Sequence, residues 1–473
     1  MSNAATISLG PQLTAEDAER IYAQGKEAVV FSLLQLAKML AERQAAGTTP
    51  STPSGMIPVY QKPAAPESKP GRTKKPGAKP GHAGSRRPAP TRIDRRESHR
   101  APTCPGCGGR LKRSPRIRVR CIEDIPEDVR TEVTEHTIHR DWCPECRKSV
   151  EPKVPDALPG CMLGHRVVVL SAWLHYGLGN TLSQIVDVFS HHLQMQITPG
   201  GLLAMWFRLQ EVLYAWYEEI QRQALAAAVL HADETGWRVK GKTWWLWCFS
   251  STDLTYYMIN RNRGGPALRE FFITEFAGVL VADFWGAYNA IAAGARQKCL
   301  VHLLRELKHV EKYKRPGPDW TDFAKKLRRL LGDAVRLWKR DAVPDAEFGS
   351  KRARLDARLA ELIATPWEDR HARRLVKRLR RHREELFTFL DHENVPFENN
   401  HAERAIRPAV IIRKNSYANR SERGADAQAV LMSIHRTLKQ RGLDPLATIV
   451  SALRTYSATG QLPPFPQKSA ASG

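Results

Sequence analysis

A chain of 473 residues with 42% apolar side chains can bury a sizeable core and has room for roughly two to four domains, which excludes a disordered protein. Lys and Arg number 73 against 49 acids, a formal charge of +24 that favours a polyanionic partner, nucleic acid first. No apolar run approaches the roughly 18 residues that span a bilayer, and the N-terminus lacks the basic-then-apolar order of a signal peptide, so an intracellular protein with no membrane partner is expected.

Residues 1–46 predict one helix from about Thr14 to Arg43, with Ile21, Val29, Leu33, Leu36 and Leu40 near one stripe. That is scarcely two heptads, so packing on its own chain or on a sister subunit is expected rather than a true coiled coil. Residues 47–98 are a linker rich in Pro, Gly, Ser and Lys, too polar to offset chain entropy by burial. From Gln61 to Arg120 there are 18 Lys or Arg against 3 acids. Lys74, Lys75, Lys79, Arg86 and Arg87 are therefore candidate DNA contacts on an arm that follows phosphates, the plainer reading being a solubilising tether.

Residues 99–155 hold Cys104-Pro-Gly-Cys107 and Cys143-Pro-Glu-Cys146, two CxxC turns separated by 35 residues. Four thiolates on two tight turns fit a closed tetrahedral site for structural Zn²⁺, with redox pairs or disulfides as the other reading. Two strand-like runs between the turns predict a small hairpin there, and Arg116, Arg118 and Arg120 within it are candidate phosphate contacts. Cys121, Cys161, Cys248 and Cys299 show no pairing pattern.

Residues 156–227 read as helices. Leu182–His192, followed by Thr198 as N-cap and Pro199 as first helical residue, makes a pair like a helix-turn-helix, though any all-helical domain produces such pairs. The texture changes at residues 228–301, where VLHADETGWRV, KTWWLWCFSS and LTYYMINRN are β-branched and aromatic runs between polar breaks. GPALREFFITEF reads as a helix and GVLVADF as a strand apolar on both faces. Together they predict a mixed α/β sheet covered by helices.

Residues 302–392 are helical again, with Phe323, Leu327, Leu330, Leu331 and Trp338 on one stripe and Ala372, Leu375, Leu379, Leu386 and Leu390 on another. Arg374, Lys377, Arg378 and Arg381 lie between those apolar positions, and sequence leaves open whether they meet DNA or water. Residues 393–460 supply the final helices and 461–473 a disordered tail.

Phosphoryl transfer by paired divalent cations needs carboxylates converging from different elements of a rigid scaffold. Asp233 lies in a strand whose period of two puts it and Thr235 on one face and Glu234 on the other. Asp283 ends the buried run GVLVAD at the carboxyl edge of the sheet, where α/β proteins place ligands. Glu403 opens a helix in ENNHAERAIRP, where a capping box with Asn400 is the structural alternative.

The strings HADETGWRV, VADFWGAYN, CLVHLLRELK, ENNHAERAIRP and RKNSYANRSERGADA resemble the insertion-sequence transposases of the IS66 family. The order of parts from about residue 15 to 457 is similar too: leading helix, basic linker, CxxC…CxxC unit, helical segment, catalytic domain. The resemblance implies a ribonuclease-H-like catalytic domain with a helical insertion, and an Asp-Asp-Glu triad falling on Asp233, Asp283 and Glu403 that holds Mg²⁺ or Mn²⁺. It implies a bacterial cytoplasmic, nucleoid-associated enzyme acting on double-stranded DNA, namely terminal inverted repeats and target DNA. At least a homodimer is expected in the DNA complex, with accessory proteins of the same element. Cys299-Leu-Val-His302 matches a CxxH motif that follows the second Asp in several transposase families, with His302 either orienting a phosphate or serving as a core histidine. Arg404 and Arg407 stand where they can neutralise a phosphate or form surface salt bridges. The rival functions are a nuclease that cuts without joining and a non-catalytic DNA-binding regulator.

Overall fold

The computed structural model describes residues 15–46 (side chains through 36), 90–112, 119–122, 125, 129, 131–339 and 344–467. Lys74, Lys75, Lys79, Arg86, Arg87, Arg116 and Arg118 lie outside the described residues.

The leading segment is two helices, α1 (Ala15–Ala23) and α2 (Lys26–Ala46), where the stripe predicted one. Gly25, at φ +98°, occupies the left-handed region that ends α1, and its N–H returns to the Tyr22 carbonyl at 3.0 Å. In the cysteine segment, β1 (Asp141–Cys143) and β2 (Lys148–Val150) pair antiparallel around the second CxxC turn. The strands thus flank that turn. No strand lies between the two turns before Asp141 among the described residues.

Three helices follow: α3 (His165–Ala172), α4 (Leu182–His192) and α5 (Pro199–Leu225). Thr181 and Gln184 close a capping box on α4. Thr198 Oγ1 accepts the Gly201 N–H at 3.1 Å with Pro199 in the first turn, as the sequence predicts. The 27-residue α5 commits Leu202, Met205, Trp206, Leu209, Leu213, Trp216, Tyr217 and Ile220 to the interior, and Tyr217 Oη donates to the Tyr257 carbonyl at 2.7 Å. Segment 156–227 therefore shares one core with the sheet.

The sheet comprises β3 (Val229–Val239), β4 (Lys242–Ser250), β5 (Thr255–Asn260), β6 (Phe276–Ala282) and β7 (Ala293–Lys298), with α6 (Gly265–Phe271) crossing from β5 to β6. Its order is β5-β4-β3-β6-β7. The first three strands are antiparallel in sequence, while β6 runs parallel to β3 and β7 parallel to β6. β7 (AGARQK) has no apolar pattern to announce it. Its buried Gln297 and Lys298 are satisfied instead by polar partners: Gln297 Nε2 donates to the Leu386 carbonyl at 3.1 Å, and Lys298 faces Glu385 at 3.9 Å.

Alternation along β6 divides the interior. Leu280 and Ala282 join the core shared with β3, β4, β5 and α5, whereas Val279 and Val281 face a second core made by the insertion. The insertion comprises α7 (Leu300–Tyr313), α8 (Trp320–Trp338), α9 (Asp345–Ala364), α10 (Arg370–Arg381) and α11 (Thr388–Asp391). Of the two predicted stripes, all residues but Trp338 are buried. The chain then returns as α12 (Asn400–Ser416), α13 (Glu422–Gln440) and α14 (Pro445–Thr459). α13 closes the free edge of the sheet, because Thr437 Oγ1 and Ser433 Oγ accept the β5 N–H groups of Thr255 and Tyr257 at 3.1 and 2.8 Å. No helix among the described residues is long and apolar enough to cross a membrane.

Candidate active site

Parallel pairing of β3 with β6 sets Val229 beside Val279, Leu230 beside Leu280 and His231 beside Val281. That pairing ends at His231 and β6 ends at Ala282, so Asp233 and Asp283 both stand just past the paired stretch, at the carboxyl end of the parallel pairing. Asp283 is 7% exposed, and its Oδ1 accepts the Trp285 N–H at 2.7 Å. Burial, then Glu234 and Asp283, then Glu403, push the Asp233 carboxyl well above the usual carboxylate range. Burial raises Asp283 as well, offset by the Trp285 N–H and by Lys298, Arg263 and Arg378. Two carboxylates so placed repel each other in a poorly hydrated site, an arrangement that a cation relieves.

Glu403 comes from α12, whose entry is fixed by Asn399. This fully buried side chain donates to the Ala232 carbonyl at 2.8 Å and meets His231 Nδ1 at 3.0 Å, and its backbone N–H reaches Cys299 Sγ at 3.2 Å. One residue thus ties the start of α12 to the strand position before Asp233 and to the start of α7. Asn399, not Asn400, precedes the helix, and its side chain makes no cap; the alternative of a capping box with Glu403 is not realised. Glu403 instead receives a bidentate pair from Arg305 of α7, at 2.8 and 3.1 Å. Partial burial works against its charge, but Arg305, aided by His302 and Arg407, holds Glu403 below the usual range. Glu403 is close enough to raise Asp233, yet is bound elsewhere. Among the described residues no three His, Cys, Asp or Glu side chains gather tightly enough to hold a metal ion as they stand.

The opposite face of β3 carries Glu234, as the period of two requires. Buried at 2% exposure, it accepts from Tyr288 Oη at 2.6 Å and from Arg263 at 3.0 and 3.2 Å. Burial and Asp283 push its carboxyl to about 7 despite those donors. The Arg263 guanidinium lies between the rings of Trp245 and Trp285, 4.4 and 4.1 Å from their centroids. Trp285 Nε1 donates to the Arg263 carbonyl at 3.1 Å while the Trp285 N–H binds Asp283, so this assembly sets the turn that aims the second aspartate.

The CxxH pair divides in role. Burial pushes the Cys299 thiol to about 11, leaving it a neutral acceptor for the Asn399 N–H. Burial and then Arg305 push His302 down to about 4, so a neutral imidazole lies within the electrostatic reach of Glu403. Arg404 and Arg407 are exposed beside Glu403. Arg374 and Arg378 are engaged inside the insertion: both pair with buried Glu306, and Arg378 also covers the Phe284 ring. Lys377, Arg381 and Arg120 are exposed. The sequence reading assigns no role to Arg305, Arg263 or Asn399, and places Glu234 only by its face of β3. The position of Arg305, three residues after His302 and hence on the same helical face, was the one available signal.

The four cysteines of the two CxxC turns are free thiols. N–H groups of Gly106 and Cys107 lower the Cys104 thiol, and those around Cys146 lower Cys143. Each turn therefore favours a thiolate.

The fold defines a class of scaffold: a mixed five-stranded α/β sheet with acids on its central strands and a block of helices between β7 and the helix that carries Glu403. The sequence matches the transposase IS66 family over residues 160–427, and the chain belongs to that family. It is 30% identical over 233 residues to the uncharacterized protein y4qI of Sinorhizobium fredii (strain NBRC 101917 / NGR234), which covers 43% of this chain and 42% of that protein. The uncharacterized protein y4hP of the same strain is 23% identical over 411 residues, covering 78% of this chain and 73% of that protein. Membership in a transposase family points to a DNA-processing enzyme.

Proposed function

We propose that this chain is a DNA transposase whose Asp233, Asp283 and Glu403 form an Asp-Asp-Glu site for cutting and joining phosphodiester bonds. The observation that carries the reading is the parallel pairing of β3 with β6, whose paired stretch leads into Asp233 on one strand and Asp283 after the other, while Asn399 docks the Glu403 helix against β3. Strand order, parallel β6 and β7, and a helix bearing the third acid support a ribonuclease-H-like catalytic domain formed by residues 228–301 and 393–460, with residues 302–392 inserted.

The donor set suits Mg²⁺ or Mn²⁺: three carboxylates, two of them destabilised as anions by burial, Asp233 further by Glu234 and Asp283. Divalent cations there supply positive charge for the attacking and leaving oxygens. The protein's own groups do the rest. Asp233 and Asp283 hold fixed positions on the sheet, Glu403 leaves Arg305 to face them, and Arg404 and Arg407 offer charge to the phosphate. In the first step a water oxygen bonds to phosphorus and the bond to the 3′-oxygen breaks, that oxygen taking a proton. In the second, the freed 3′-hydroxyl attacks a target phosphorus and displaces another 3′-oxygen, with the proton passing to it. Neither step needs a covalent bond between protein and DNA.

Cys104, Cys107, Cys143 and Cys146 supply the donor chemistry of a Zn²⁺ site, two thiol pairs each on a tight turn. They would hold the ion as a structural tie within residues 99–155 once the two turns meet, since as they stand no three of them gather around one point. Two DNA ends require two subunits, so a homodimer on DNA belongs to the proposal, as does recognition of terminal repeats by the segment before residue 228. Asp283→Asn is expected to abolish cleavage while leaving DNA binding intact. A strand-transfer assay with a pre-cut end separates a transposase from a nuclease that never joins, and nicking by the Asn variant at the parent's rate overturns the triad.

A further inference from the structure

The far ends of β3 and α12 build a second feature that the acids do not use. Arg238 and Lys240 from the β3–β4 hairpin meet Arg413, Tyr417, Asn419 and Arg420 from the end of α12 around a pocket of about 460 Å³. Arg413 is half-buried, and its polar contacts are neutral oxygens, Thr235 Oγ1 at 2.9 Å and the Gly236 carbonyl, with no carboxylate against it. The acid at the rim, Glu422, is occupied by Arg261 at 2.9 Å and reaches Lys240 at 3.5 Å. Arg413 and Arg420 are thus left without an anion among the described residues.

Tyr417 stands in this basic surround with 88% of its surface exposed. Its backbone and that of Ala418 are left-handed, at φ 55° and 69°, as is Lys240 at 51°. Such geometry in three side-chain-bearing residues persists only where neighbours enforce it. Here Asn419 does so: its N–H donates to the Arg238 carbonyl, its carbonyl accepts the Lys240 N–H, and its side chain takes the Trp237 indole N–H at 2.7 Å and donates to the Gly424 carbonyl. The fold spends strain to present an aromatic ring and four cations together.

We infer that this pocket binds a DNA strand next to the cleavage site, the four basic groups holding phosphates and Tyr417 stacking on a base that has left the duplex. This rests on the transposase reading. Distance supports it: Arg238 lies five residues beyond Asp233 on β3, about 17 Å, and Arg413 lies ten beyond Glu403 on α12, about 15 Å. Both elements run from the acids to the pocket, and at 3.4 Å per nucleotide that span is about five base pairs of B-form DNA.

The test uses the full chain and two labelled DNAs, a blunt random-sequence duplex and the same duplex with a single-stranded extension, bound across a salt series. The triple variant Arg238→Gln, Lys240→Gln, Arg420→Gln is expected to bind at least about tenfold more weakly, with a salt slope reduced by about 2 to 3. Tyr417→Ala should weaken the extended DNA by about fivefold or more and leave the blunt one unchanged, while Tyr417→Phe restores it. An unchanged melting temperature verifies that each variant folds. A triple variant with the parent's affinity and slope overturns the pocket, and Tyr417→Ala with unchanged affinity for both DNAs overturns the stacked base. A parent chain that binds neither DNA contradicts the transposase reading itself, whereas a parent that binds DNA beside an unaffected triple variant sinks the pocket alone.

Discussion

Around the sheet, each acid of the site is held by packing. Asp283 follows a strand buried on both faces, Glu234 is tied to Arg263 and Tyr288, and Asn399 locks the Glu403 helix to β3. In the cysteine segment the opposite holds. Val119, Ile122, Val133, Trp142 and Val150 are all exposed, and the hairpin is three residues a side. In the first region burial fixes the two aspartates before any ion arrives, while Glu403 is held aside by Arg305. The second shows little apolar burial among its described residues, so the metal tie proposed for it would contribute the stability that packing contributes elsewhere.

The sharpest way to break this contrast is to disable each region separately. Asp233→Asn or Asp283→Asn is expected to lower cleavage by about 10³-fold or more, as when a group that offsets transition-state charge is removed, with melting unchanged or raised since a repelling charge is gone. Cys143→Ser should do the reverse: zinc content measured by mass spectrometry falls to zero, residues 99–155 become protease-sensitive, and the melting of the sheet-centred core stays put. Loss of core stability in the cysteine variant would show that the two regions are not independent.

Asn399→Ala leaves the Ala232 carbonyl and His231 without partners and is expected to destabilise the fold by about 2 kcal/mol, read by chemical denaturation. The pH dependence follows from the raised acids. A carboxyl with an elevated folded value contributes stability that is complete below its unfolded value near 4 and lost as pH rises through the folded one. Asp233, Asp283 and Glu234, the last at about 7, all move that way. Buried His231, His302 and His435, lowered by burial, run the other way between pH 5.5 and 8, so the readout is the ion: Mg²⁺ should raise melting more at pH 8 than at pH 5.5. An equal Mg²⁺ effect at both values contradicts the carboxylate site. The smallest effect expected is that of Arg305→Gln, which removes a half-exposed partner from Glu403 and should tighten Mn²⁺ binding by about 2- to 5-fold, in line with the modest worth of exposed ion pairs.

The same contrast explains what was legible in the sequence. Strands β3 to β6 announce themselves because aromatic and β-branched residues at a period of two also bury, and the acids stand out as the polar residues interrupting them. β7 is hidden because its buried side chains, Gln297 and Lys298, are polar and depend on partners about 90 residues away that no local pattern reveals. The break at Gly25 was overlooked because the apolar stripe runs through it; only the backbone shows the left-handed turn. Arg374 and Arg378 look like a solvated basic face until the fold brings buried Glu306 against them, and Arg305 looks like any helical arginine until Glu403, 98 residues on, meets it. Sequence thus marks the acids proposed for the site, and carries no sign of the cations that long-range folding sets around them.

The reading stands or falls on where cations bind when DNA is present. Crystals of the DNA complex soaked in Mn²⁺, measured at the manganese edge, should show two anomalous peaks about 4 Å apart between Asp233, Asp283 and Glu403, with Glu403 released from Arg305. Anomalous peaks elsewhere, or Glu403 still paired with Arg305 beside bound DNA, contradict it.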